Sequence, residues 1–216
     1  MTLHYRPAFK YAFSGKGWIK KFLLGSLSTL LLPMILGYFI ASLRRIICRQ
    51  VEELPDWEDT MGFFSQGIIV LAIIIVYLFF PFLLILIGYI LIGGGKGLIS
   101  SEGAISFAGM IFGIIILIGF LLLIFSIFVI PMALAFYAET LSIMEALYLP
   151  QVMARIFDNI ELYFMGWFVC LCVTVAVLSI FIFIFPLAFF YLYMFYAYIF
   201  GHIYLTGDEY GNNNFT

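Results

Sequence analysis

Four long apolar stretches separated by short polar ones organise this chain, over residues 22–43, 67–92, 104–134 and 163–205. A helix that crosses a bilayer needs roughly 20 consecutive apolar residues. The second and third stretches therefore predict one span each. The fourth continues for 43 residues without a charged side chain. As a single helix it would reach about 65 Å, against a hydrocarbon core of about 30 Å. Pro186 sits near its middle, so two spans are predicted, 163–185 and 186–205, joined by a tight turn.

The polar stretches carry a different pattern. Residues 7–21 interleave Phe9, Phe13 and Trp18 with Lys10, Lys16, Lys20 and Lys21 behind Pro7, which predicts a short helix at the level of the lipid headgroups. Over 142–161, Leu149, Met153, Ile156 and Ile160 recur at helical spacing, while Gln151, Arg155 and Asp158 fall on another side. That pattern predicts an amphipathic interfacial helix. The run Gly93-Gly94-Gly95-Lys96-Gly97 lacks the preceding strand and the Gly-Lys-Ser/Thr ending of a phosphate loop, and reads as a polar turn between helices.

Composition changes the picture only by confirming the class. Hydrophobic types make up 65% of the 216 residues and charged types 10%, against roughly 25% charged in a soluble domain. The reading is an all-α, polytopic membrane protein, a single domain over residues 1–216. It has four to five membrane helices, a re-entrant hairpin as one option, and interfacial helices. No long basic run exists, so no nucleic-acid partner is expected. Cys48, Cys170 and Cys172 are odd in number, with two inside an apolar stretch, and read as small buried hydrophobes. The first apolar stretch follows five basic residues and exceeds the roughly 7–15 residues of a cleaved signal core, so insertion by an uncleaved anchor is expected.

Charge placement bears on whether residues 22–43 cross the membrane, because Lys and Arg near span ends stay cytoplasmic. If they cross, six basic residues fall inside and four outside. If the stretch instead turns back near Pro33, nine fall inside, and Lys96 alone lies outside. The re-entrant arrangement fits the charges better. Its exposed backbone at the turn then requires cover from other helices.

The most distinctive stretch is Leu43-Arg44-Arg45 followed by Glu53-Leu54-Pro55-Asp56-Trp57-Glu58-Asp59. With Gly17-Trp18-Ile19-Lys20-Lys21, Ala133-Leu134-Ala135-Phe136-Tyr137-Ala138-Glu139 and Asp158-Asn159, it resembles, over nearly the whole length, the prokaryotic membrane protein family called domain of unknown function 4013. The resemblance implies a bacterial or archaeal multi-pass protein of the cytoplasmic (inner) membrane, or of thylakoid or other internal membranes. It carries over no catalytic residue. Physically, Pro55 stops a helix, Trp57 suits the headgroup region, and Asp56, Glu58 and Asp59 stay in water. Two roles follow for this strip: an internal clasp in which Arg44 and Arg45 hold its carboxylates, or a docking surface for a basic partner.

Ionisable groups inside spans mark catalysis or ion coupling, and the central parts of all four stretches hold none. Glu139, just past the third stretch, is read as an interfacial carboxylate at a helix end, with a proton or substrate site as the alternative. His202 and the aromatic series from Phe189 to Phe200 read as packing and interface, with metal or pigment binding as the remote option. No catalytic, cofactor or metal cluster is expected. Gly109 and Gly113 form a Gly-x-x-x-Gly pair, with Gly119 further along, which permits close helix approach. The expectation is a non-catalytic accessory or scaffold subunit, in contact with membrane lipids and packed with other membrane subunits or itself. The alternatives are a transporter or channel for a small neutral or lipid-like molecule and, remotely, a pigment- or quinone-associated subunit.

Overall fold

The computed structural model describes residues 5–48, 53–98, 102–181 and 185–213. Every regular element among the described residues is a helix, and the chain forms two compact units. One joins Met1–Leu71 with Pro131–Thr216, and the other is Ala72–Ile130. Among the described residues, four helical stretches are long and apolar enough to cross a membrane: Thr60–Ile92, Gly109–Thr140, Ile160–Ser179 and Phe185–Thr206.

The first unit opens with α1 (Tyr5–Tyr11) and α2 (Trp18–Ser28). The single interfacial helix expected over 7–21 is therefore two. Gly15 and Gly17 adopt positive φ, 87° and 71°, a conformation that side-chain-bearing residues adopt only at a cost. The backbone N–H of Phe13 and that of Ser14 turn back onto the carbonyls of Lys10 and Tyr11. Residues 22–43 are not one helix either. After α2 the chain turns over Thr29 to Leu31, and α3 (Leu32–Ile47) starts with Pro33 in its first turn, where the missing N–H has no intrahelical partner to lose. At 11 and 16 residues the two helices measure about 16 and 24 Å, each shorter than a hydrocarbon core of about 30 Å.

α4 (Thr60–Leu98) and α5 (Glu102–Thr140) both outrun the expected 67–92 and 104–134, and they pass through Pro81 and Pro131 without ending. The helical backbone continues through Gly93 to Gly97, so that run is not the turn. The amphipathic segment 142–161 is likewise divided, into α6 (Ile143–Leu147) and α7 (Leu149–Asp158), because Pro150 begins a new helix rather than continuing the old one. α8 (Ile160–Phe181) and α9 (Phe185–Asn213) follow, with Pro186 in the first turn of α9.

Within the first unit α9 is the hub. Two-thirds of its most apolar window is buried, against 17% for each of the other three candidate spans. Its aromatic series, read from the sequence as lipid contact and packing, is chiefly a core, with Phe190, Phe195 and Phe200 almost completely buried. Their rings meet Phe22 of α2 at 5.3 Å, Phe9 of α1 at 5.1 Å and Trp167 of α8 at 5.6 Å. Such tilted and edge-on pairs add roughly 0.5–1.5 kcal/mol each beyond area burial. α8 returns antiparallel, so that Thr174 bonds Tyr196 while Gly166 lies against Ile203.

Two glycines set the closest backbone approach in this unit. A Cβ on Gly37 of α3 would overlap the carbonyl of Phe63, and a Cβ on Gly67 would overlap the carbonyl of Pro33. α3 and the first turns of α4 thus cross antiparallel, each presenting a glycine to the other's backbone. In the second unit the two helices approach more loosely: a Cβ on Gly88 would fall 2.6 Å from the Ile116 side chain, and one on Gly119 2.6 Å from Ile85.

Candidate functional site

The family-like loop between α3 and α4 is where polar chemistry concentrates. Pro55 keeps it out of a helix, and Leu54 and Pro55 are buried while Asp56, Glu58 and Asp59 are exposed. Buried backbone carbonyls need donors, and each of three successive carbonyls has one. The Lys21 ammonium donates to the carbonyl of Leu54 at 2.8 Å. The Tyr38 hydroxyl donates to that of Pro55 at 2.8 Å. Arg45 donates to Leu54 at 3.3 Å and, at greater length, to Glu53 at 3.5 Å.

Lys21 belongs to α2, while Tyr38 and Arg45 belong to α3. Both arms of the hairpin therefore reach back to the same short loop. Trp57 completes the clamp. Its ring stacks on Tyr38 at 4.3 Å and 7° between planes, Phe63 packs edge-on to it at 5.6 Å, and its indole N–H donates to the Lys21 carbonyl at 3.1 Å. Lys21 also pairs with Asp56 at 2.9 Å. The hydrogen bond from Lys21, and then its charge, hold the Asp56 carboxyl below the usual carboxylate range.

The sequence-predicted residues divide accordingly. Arg45, Asp56 and Trp57 come together in the clamp. The clasp differs from the one expected: Arg45 holds backbone carbonyls, and the carboxylate is taken by Lys21. Arg44 is half-buried. Asp59 caps α4 by accepting the Gly62 N–H at 2.8 Å, the usual work of an N-cap aspartate. Glu58 is exposed.

Glu139 and His202 lie apart from the clamp. Glu139 accepts a short hydrogen bond from the Tyr204 hydroxyl, and the Arg155 guanidinium stands over the Tyr204 ring at 4.7 Å. That arrangement ties α5, α7 and α9 together at one point. His202 directs Nδ1 to the Tyr198 carbonyl at 3.0 Å and stacks on the Tyr198 ring at 4.1 Å. Among the described residues no group of three His, Cys, Asp or Glu is placed to hold a metal ion.

Sequence reasoning missed Lys21 and Tyr38 as members of the clamp. Tyr38 had a visible signal, being a hydroxyl in an otherwise apolar arm that must find a partner if buried. Lys21 looked like one more flanking charge.

The family model described as Protein of unknown function (DUF4013) matches residues 22–203, and the chain belongs to this family. No curated protein and no solved structure matches it.

Proposed function

We propose that this member of the DUF4013 family is a non-catalytic integral membrane subunit that packs against other membrane proteins or a second copy of itself. One observation carries the reading: the polar side chains that could have done chemistry are engaged in holding the chain together. Lys21 and Arg45 hold the loop carbonyls, Glu139 holds Tyr204, and His202 holds its own helix. A further observation supports packing in the membrane. Gly109 and Gly113 of α5 are exposed and have nothing within 4 Å of where a Cβ would stand. In lipid such a face permits close approach of a second helix. We place the protein in a prokaryotic inner membrane, with residues 22–43 as a re-entrant hairpin.

Photo-crosslinking in native membranes tests this. Leu117 is 58% exposed and follows Gly113 by one turn, and Phe168 of α8 is 68% exposed. A photoreactive residue at 117 should give one discrete protein adduct that disappears when Gly113→Leu is added, while a probe at 168 should give lipid adducts alone. Lipid adducts alone at 117 would remove the packing reading. A solute flux in proteoliposomes that is lost in Glu139→Gln would replace it with transport.

A further inference from the structure

α1 is fixed to α9 by the fully buried Ala8, by Phe9 against Phe195 at 5.1 Å and by Tyr11 against Tyr198 at 5.5 Å. The contact leaves a cavity of about 330 Å³ lined by Arg6, Pro7, Lys10, Tyr11, Ser14 and Tyr198. That volume is at the small end of ligand clefts, which run from roughly 300 to 1,000 Å³. Arg6 and Lys10 stand four residues apart on α1, so they share a face and border the same space. No carboxylate is among the lining residues. Ser14 donates to the Tyr11 carbonyl at 2.7 Å.

The electrostatics call for an anion. A guanidinium fork beside an ammonium suits the oxygens of a phosphate group, with Arg supplying paired donors and Lys a point charge. The surroundings call for an anion with an apolar body. Phe9 and Phe13 are 44% and 43% exposed, and Trp18 and Ile19 extend the exposed apolar surface just beyond the Gly15–Gly17 turn. Basic residues interleaved with exposed aromatics suit a bilayer surface rather than water alone.

We propose that the cavity between α1 and α9 binds the phosphate of an anionic phospholipid from the surrounding bilayer. Arg6 and Lys10 hold the phosphate oxygens, and the exposed aromatic surface of the N-terminal segment lies along the glycerol and upper acyl region. This site does not depend on the packing role of α5.

The test uses the full chain in nanodiscs of phosphatidylcholine containing a minor fraction of phosphatidylglycerol, with bound lipid counted by native mass spectrometry after release. The wild-type chain should retain one phosphatidylglycerol. Arg6→Gln with Lys10→Gln removes two charge-assisted hydrogen bonds to the phosphate and should weaken retention by about a hundredfold or more. Lys16→Gln with Lys20→Gln removes the same charge from exposed positions that do not line the cavity, loses only the diffuse attraction to an anionic surface, and should weaken retention by no more than about thirtyfold. Both pairs should melt with the wild-type chain, since all four side chains are exposed. Equal loss in the two double variants would reduce the effect to diffuse surface charge and overturn the site. Inorganic phosphate displacing the lipid at equal concentration would make it a free-anion site and overturn the lipid assignment. Wild-type retention of phosphatidylcholine instead of phosphatidylglycerol would overturn both.

Discussion

A single methyl group at Gly37 or Gly67 should destabilise the protein by about 3 kcal/mol or more, at the upper end of overpacking effects. The cause is that the opposing atoms are backbone. A Cβ on Gly37 meets the Phe63 carbonyl, and a Cβ on Gly67 meets the Pro33 carbonyl, so neither clash is relieved by a change of rotamer. Accommodation requires α3 and the first turns of α4 to move apart, which in turn loosens Tyr38, Phe63 and Trp57, whose rings pack on one another. At roughly 2–4 °C per kcal/mol for a chain of this size, Gly37→Ala or Gly67→Ala should lower the melting temperature in detergent by about 6–12 °C. Gly113→Ala is the internal comparison. Nothing stands within 4 Å of its Cβ, and alanine is the better helix former by up to about 1 kcal/mol. It should melt at or slightly above wild type. If Gly37→Ala and Gly113→Ala melt together, the α3–α4 crossing is not as close as described.

Lys21→Met should cost about 2–3 kcal/mol, while Asp56→Asn should cost at most about 1 kcal/mol. The two substitutions break the same ion pair, so their difference isolates the carbonyl. Lys21 is buried and donates to the buried Leu54 carbonyl. Hydrogen bonds from charged donors are worth roughly 1.5–3 kcal/mol, and the Arg45 bond that remains to the same carbonyl is longer, at 3.3 Å. Asp56 is 60% exposed in the pair, and exposed ion pairs contribute about 0–1 kcal/mol. The pH dependence follows the same order. The folded Asp56 carboxyl lies below its unfolded value of about 3.9. Its contribution is thus present above that value and fades as pH falls through the lower folded value. A melting series should show a shallow acid-side loss in wild type, absent in Asp56→Asn, with the Lys21→Met deficit unchanged from pH 6 to 8. An Asp56→Asn deficit as large as that of Lys21→Met would mean the carboxylate, not the loop carbonyl, is the partner that matters.

These two results concern residues that the sequence displayed unequally. The four spans were legible because apolar run length against bilayer thickness is a one-dimensional property. Two helix starts were legible as well: Pro33 and Pro186 each stand in the first turn of a helix, where a missing N–H has no consequence. The same logic does not separate Pro81 and Pro131, which sit inside continuous helices. In an apolar setting the alternative to a tolerated kink is unsatisfied backbone in lipid. Gly15 and Gly17 divide the N-terminal segment through positive φ, a property that a basic and aromatic pattern does not display.

Close approach was harder still. Spacing along one helix singled out Gly109 and Gly113, yet the tightest backbone approach in the first unit is a pair of contacts between helices, Gly37 on the Phe63 carbonyl and Gly67 on the Pro33 carbonyl. Only the crossing of α3 and α4 makes that pair. The clamp was half legible for a similar reason. Glu53 to Asp59 looked important as charge, but what α2 and α3 recognise in it is three backbone carbonyls, which every loop possesses. Lys21, read as a flanking cation, acquires its role only once the hairpin brings it beside Leu54.

The clamp joins the first arm of the hairpin, through Lys21, and the second, through Tyr38 and Arg45, to a single loop, and this supports the proposal that residues 22–43 form a re-entrant hairpin. Single cysteines at Ser14 and Thr60, which precede and follow the hairpin, test it most directly. In a background with Cys48, Cys170 and Cys172 replaced, both should resist a membrane-impermeant thiol reagent in intact cells and both should react once the membrane is permeabilised. Labelling of Thr60→Cys in intact cells while Ser14→Cys stays protected would show that the stretch crosses the membrane, and would contradict the hairpin.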